Sequence, residues 1–126
     1  MTDLLSLARR AVACKKWRFL PGMQVIEKQN GRTSRLTSIA RLGWNTVLES
    51  GAWMRFRDTA DLLPDFSDPV TAAAVLPLVR EAWGDAQASS SRLCGRWVVV
   101  VGGIVRSEGT TELEAAIAAL EAADAR

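Results

Sequence analysis

"PDFSDPVTAAAVLPLVREAWG", residues 64–84, decides the fold. Asp68 stands where a helix takes its N-cap, and Pro69 where proline is welcome, because the N–H it lacks has no helical partner there. Val70, Ala73, Ala74, Val79 and Trp83 follow at helical spacing, as do Leu76 and Arg80, and Gly84 supplies a C-terminal stop. Pro77 is the anomaly. It sits about two turns inside the segment, where it removes a hydrogen bond and crowds the preceding turn, a cost of ~3 kcal/mol if nothing offsets it. A helix curved over a twisted sheet accommodates such a kink. The stretch carries almost no charge before Arg80, so most of its surface is expected to be buried. It reads as the roof of a small sheet.

The flanking segments supply that sheet. Residues 3–14, "DLLSLARRAVAC", form an amphipathic pattern that predicts a helix from a Thr2 or Asp3 cap to about Lys16, closed by "FLPG". Residues 23–57 read as a meander. "MQVIEK" and "TSRLTSIA" flank Asn30-Gly31, a dipeptide suited to a type I′ hairpin turn, and "GWNTVLES" and "AWMRFRD" follow. In the last of these, Trp53, Arg55 and Arg57 alternate with Ala52, Met54 and Phe56. "DAQASSSRLCG" reads as a polar connector and "RWVVVVGGIVRSEG" as a hairpin with Gly102-Gly103 at its turn. "TTELEAAIAALEAADAR" is a helix with Thr111 and Glu114 placed as a capping box. The order helix, antiparallel meander, helix, hairpin, helix predicts an α+β fold with helices on one face of the sheet. The length of 126 residues is that of a single domain over 1–126.

Composition removes several chemistries. The chain has no histidine, the commonest general base and metal ligand, and its two cysteines, Cys14 and Cys94, stand in no motif. They read as buried thiols of a reducing compartment, hence a cytoplasmic chain. Ser89-Ser90-Ser91 lie in the connector with no base to activate them. Asp58, Asp61, Asp65 and Asp68 are the best available carboxylate cluster, but Asp68 has a capping role and the spacing is not that of a calcium loop. "VGGIV" lacks the lysine and hydroxyl of a phosphate cradle. No catalytic residue, cofactor or metal is assigned. No apolar run is long enough for a membrane span.

Charge is the informative property. Residues 1–57 hold eleven basic and three acidic side chains; residues 58–126 hold five basic and eleven acidic ones. The basic half calls for an acidic partner or nucleic acid, or else the two halves neutralise each other on folding. Aromatics are interleaved with the cations. Arg9, Arg10, Lys15, Lys16, Trp17, Arg18, Arg32, Arg35, Trp53, Arg55 and Arg57 are the candidate partner-binding residues. Tryptophan and arginine together suit a protein hot spot or a phosphate backbone with stacked bases, and equally a core packed under arginine stems. No recognisable DNA- or RNA-reading motif accompanies them.

The blocks "LLSLARR", "WRFLPGMQV" (17–25), "LPDFSDPVTAAAVLPLVREAWGD" (63–85), "GRWVVVV" (95–101) and "GTTELEAAIAALEAA" (109–123) resemble a family of small uncharacterised proteins encoded by phages and prophages of Gram-negative bacteria. The resemblance covers about half of the chain and leaves out residues 27–60. It implies a viral or prophage origin, and so the cytoplasm of a bacterial host. It brings no catalytic residues. Two function classes follow. The first is a non-catalytic accessory protein that binds a host or phage protein or nucleoprotein, for instance an anti-defence inhibitor of anti-CRISPR type. The second is a direct nucleic-acid binder using the basic, Trp/Arg-rich half. A homodimer through an open sheet edge is compatible with either.

Overall fold

The computed structural model describes residues 3–40, 43–48, 53–56 and 59–126, and between 38 and 59 the backbone alone. The fold is mixed α+β. The chain gathers into two compact units, one made of Phe19–Ala72 and the other of Met1–Arg18 with Ala73–Arg126.

In the unit of Phe19–Ala72, β1 (Gln24–Glu27), β2 (Thr33–Ala40), β3 (Gly43–Leu48) and β4 (Trp53–Phe56) form the expected antiparallel meander. A fifth strand that the sequence did not announce, β5 (Leu62–Pro64), follows a 3₁₀ turn at Thr59–Asp61 and pairs with the free side of β1. The strand order is β4-β3-β2-β1-β5. Pro64 closes an edge strand, a place where its missing donor does no harm. Met23, Val25, Leu36 and Leu62 are fully buried and make the core of this unit. The turn at Asn30-Gly31 is not the two-residue type expected. Gly31 N–H donates to Glu27 O at 2.8 Å, Glu27 N–H donates to Arg32 O at 2.9 Å, and Gly31 takes φ +70° while Asn30 stays at negative φ. The reason is local: the Asn30 side chain accepts the Arg32 N–H at 2.9 Å, which favours a four-residue loop. The alternation expected along 52–57 concerns side chains outside the described residues.

The stretch 64–84 departs from the single kinked helix expected. It forms two helices, α2 (Pro69–Ala73) and α3 (Val75–Trp83), interrupted at Ala74. The interruption puts Pro77 third in α3. There the missing N–H is one of the first-turn donors that no helical carbonyl accepts, so the proline terminates one helix and fits the start of the next. Gly84 closes α3 in the left-handed conformation at φ 65°, as read from the sequence.

The other unit contains α1 (Leu4–Val12), α3, α4 (Glu112–Asp124) and a three-stranded antiparallel sheet. Asp3 caps α1 by accepting the Leu5 N–H at 3.0 Å; the helix ends four residues before Lys16, in a turn. The sheet runs β6 (Ser89–Leu93), β7 (Arg96–Val101), β8 (Ile104–Gly109). β6 falls in the segment read as a connector. Its serines carry no β-propensity, but the valine run of β7 needs a ladder on both sides and the pairing uses only backbone groups. Both turns are two-residue connections. Gly102 and Gly103 take φ 58° and 78° as expected, and Cys94 and Gly95 take φ 52° and 78°. Cys94 is therefore exposed at a turn, not buried as expected, whereas Cys14 is buried; both are free thiols. Burial pushes the Cys14 thiol up to about 11, which keeps it protonated and inert.

α4 lies against β8 and β7 and also touches α1 and α3. Ser90, Val99 and Ser107 are in cross-strand register; the Ser90 hydroxyl donates to Glu112 at 3.0 Å and the Ser107 hydroxyl to Ala115 O at 2.6 Å. These bonds place the helix on one face of this sheet. Leu7, Ala11, Val75, Leu78, Val99, Ile117 and Leu120 form the core. Thr111 caps α4 by accepting the Glu114 N–H at 3.1 Å, while the Glu114 carboxylate accepts the Thr110 hydroxyl at 2.8 Å. Gly109 precedes this cap at a close approach. A Cβ there would lie 2.8 Å from Ala115 N and 3.0 Å from Glu114 Cβ. Gly109→Ala is expected to cost about 1–2 kcal/mol in urea-induced unfolding, since backbone rather than a mobile side chain must yield.

Candidate functional site

The sequence named eleven candidate partner-binding residues and left open that folding neutralises them. The structure divides these residues into three groups. The first consists of arginines already matched to carboxylates. Arg10 Nη2 and Nε reach Glu121 at 2.5 and 3.2 Å. Arg18 makes the same forked contact with Glu81 at 2.7 and 3.1 Å, and Arg32 pairs with Glu27 at 2.7 Å. Each guanidinium holds its proton more firmly as a result, the side-chain hydrogen bond to the carboxylate being the main cause. Glu81 is correspondingly held below its usual range by Arg18.

Arg35 is the most committed of this group. Its Nη1 donates to Gly22 O at 2.6 Å and to Asp68 at 3.2 Å; its Nη2 donates to Gln24 Oε1 at 3.0 Å and to Asp68 at 3.0 Å. Asp68 simultaneously accepts the Thr71 N–H at 3.1 Å and the Thr71 hydroxyl at 2.7 Å, which makes it the N-cap of α2. Thr71, fully buried, accepts the Gln24 N–H at 2.7 Å. Asp65 accepts from Gln24 Nε2 at 2.8 Å and from the Ser67 N–H and hydroxyl at 3.1 and 2.6 Å. Arg35, followed by the two Thr71 bonds, holds Asp68 down at about 2. The Leu-Pro-Asp-x-x-Asp-Pro block is thus a structural lock: two carboxylates fasten a turn and a helix start to β1 and β2. Among the described residues no cluster of three or more potential metal ligands is found.

The second group is uncommitted. Arg9, Lys15 and Lys16 are exposed and enter none of the ion pairs among the described residues. They occupy the last turn of α1 and the turn that follows it. Leu4 and Leu5, 42% and 43% exposed, stand on the same helix, Leu5 one turn before Arg9. Trp17, next in the chain, is half-buried. In the third group, Trp53 and Arg55 lie on β4 opposite Val47 and Asn45, their side chains outside the description, and Arg57 lies outside the described residues.

An Arg/Trp cluster does exist, but in the acidic half. The Trp83 indole N–H donates to Ala119 O at 2.9 Å, and the Arg106 and Arg126 guanidinium carbons lie 5.2 and 4.6 Å from its ring centroid. Arg92 lies 5.8 Å from the Trp97 ring. Arg92 and Trp97 are direct cross-strand partners, a relation invisible while β6 is read as a connector. Trp83 is braced by its own chain on both counts, which leaves it a packing role.

Asp85 ties down the other hairpin. Its carboxylate accepts the Gln87 and Gly102 N–H groups at 2.9 and 2.8 Å, and these two bonds hold it below its usual range.

No protein-family model, curated protein or solved structure matches the chain. Among the described residues, no helix is long and apolar enough to cross a membrane.

Proposed function

We propose that the protein is a non-catalytic binding protein that docks the exposed end of α1, with Arg9, Lys15 and Lys16, onto an acidic surface of another protein or nucleoprotein. One observation carries this reading. Arg10, Arg18, Arg32 and Arg35 are matched to internal carboxylates, while Arg9, Lys15 and Lys16 stay exposed, Arg9 one helical turn from the exposed Leu5. A helix with exposed leucines at its start and a few free cations toward its end suits a protein contact better than a phosphate track. The resemblance to phage and prophage proteins supports a bacterial host as the source of the partner, and an anti-defence role of anti-CRISPR type as one form of it.

Direct nucleic-acid binding is the competing reading, and the internal ion pairs weaken it. Three cations neutralising phosphates give a salt slope no steeper than about −2.7 in log affinity against log salt. The test compares the wild type with the triple variant R9E/K15E/K16E. Immobilised protein is used to capture its partner from host lysate, and the partner, identified and purified, is titrated against both forms by calorimetry. The wild type is expected to bind at least about tenfold more tightly. Equal affinities would remove α1 from the contact. Fluorescence anisotropy with duplex and single-stranded DNA at about 50 and about 200 mM salt decides the alternative: tight binding with a steep slope would replace the protein-docking reading.

A further inference from the structure

β6 (Ser89–Leu93) is an edge strand; its outer side pairs with no described strand. The two edges of this sheet differ. β6 pairs with β7 residue for residue, whereas β8 shifts register between Val99 and Val100 and leaves Arg106 unmatched. A bulge twists an edge away from further pairing, and a regular edge remains a template for another strand. Ser89, Ser91, Arg92 and Leu93 are exposed, Leu93 at 56%. What such an edge binds is an extended backbone.

We propose that β6 pairs with β6 of a second copy, antiparallel about a two-fold axis through Ser91, joining two three-stranded sheets into one of six strands. Charge selects both the occupant and the register. Opposed residues in an antiparallel pair face the same side, so a two-fold can centre on Ser90, Ser91 or Arg92. Centring on Arg92 opposes two guanidinium groups. Centring on Ser90 sets Arg92 and Leu93 against residues that precede the strand. Centring on Ser91 sets Ser90 opposite Arg92 of the second copy. The Ser90 hydroxyl is bonded to the Glu112 carboxylate at 3.0 Å, so a negative charge already stands at that point. Each Arg92 then meets Glu112 of the other copy, twice by symmetry. Arg92 enters no ion pair among the described residues; its guanidinium lies over the Trp97 ring and donates to Gly95 O at 3.4 Å, and it is without a carboxylate partner in these ion pairs. Leu93 comes opposite Ser89 and leaves water. The inference is independent of the α1 surface assigned above.

Sedimentation velocity over a wide concentration range tests it. The wild type is expected to move from monomer to dimer. R92E and E112R are each expected to weaken the dimer at least about tenfold, and R92E/E112R to restore it, because the swap rebuilds both ion pairs. Far-UV circular dichroism verifies that the variants stay folded. A second measurement does not depend on charge. In a C94S background, S91C places one thiol from each copy across the axis and is expected to form a disulfide-linked dimer under mild oxidation much faster than S89C. A protein that stays monomeric throughout, a swap that fails to restore association, or equal cross-linking of S91C and S89C overturns the proposal.

Discussion

Replacing Asp68 by alanine is expected to destabilise the protein by about 2–3 kcal/mol at neutral pH. About 1 kcal/mol is the lost helix cap, with Thr71 N–H left without its acceptor. The remainder is the forked contact with Arg35 and the Thr71 hydroxyl bond. Arg35 is 40% exposed, so water and salt screen the pair and the ionic share is held to about 1 kcal/mol. Asp68→Asn keeps a capping oxygen and should cost only about 1 kcal/mol. The pH dependence has a definite sign. Asp68 titrates at about 2 in the fold against an ordinary 3.8, so the folded state favours its charged form. That stabilisation is complete above about pH 4 and fades as the pH falls toward 2. Urea titrations at pH 7 and at pH 2 should therefore show the gap between wild type and Asp68→Ala narrowing in acid. A variant as stable as the wild type at pH 7 would show that the lock contributes nothing.

The second large effect lies in the core of the other unit. Ile117 is fully buried in α4, the helix that covers β7 and β8 and touches α1 and α3. Ile117→Ala removes three carbons from a fully buried site, and is expected to cost about 4 kcal/mol, against about 1 kcal/mol for Ile117→Val. Thermal unfolding followed by circular dichroism provides the check. The alanine variant should melt lower by roughly 12 °C, at about 3 °C per kcal/mol for a chain of this size. Similar shifts for the two variants would mean that the site collapses around the lost volume.

Much of the fold was legible because its signals are local. Asp3, Asp68 and Thr111 cap the helices they were expected to cap, Gly84 stops α3, and Gly102-Gly103 turns the hairpin. The failures share a cause. β6 and β5 are strands only because β7 and β1 offer unsatisfied ladders, and neither "SSSRL" nor "LLP" says so by itself. Pro77 was read correctly as a disturbance, yet its resolution depended on Ala74 closing one helix and opening another. The candidate surface was harder still. A list of cations does not reveal which carboxylates will stand beside them. Glu121 and Glu81 meet Arg10 and Arg18 from the far part of the sequence, and among the described candidates Arg9, Lys15 and Lys16 enter no ion pair. The Arg92–Trp97 pair is a product of register and could not be read before β6 was known to be a strand.

The unit of Phe19–Ala72 is one unbroken length of chain, whereas the other unit is assembled from two separated lengths. During translation this sets an order. Each strand of the five-stranded sheet finds its neighbour within a few dozen residues and can pair as soon as it is made. α1 must wait: the Arg10 guanidinium and the backbone N–H of Lys15 meet Glu121 and Asp124 only when those residues, 111 and 109 positions further on, have been made. α1 is consequently secured only after α4 has been made, and until then the helix that carries the buried Leu7 and Ala11 lacks that neighbour.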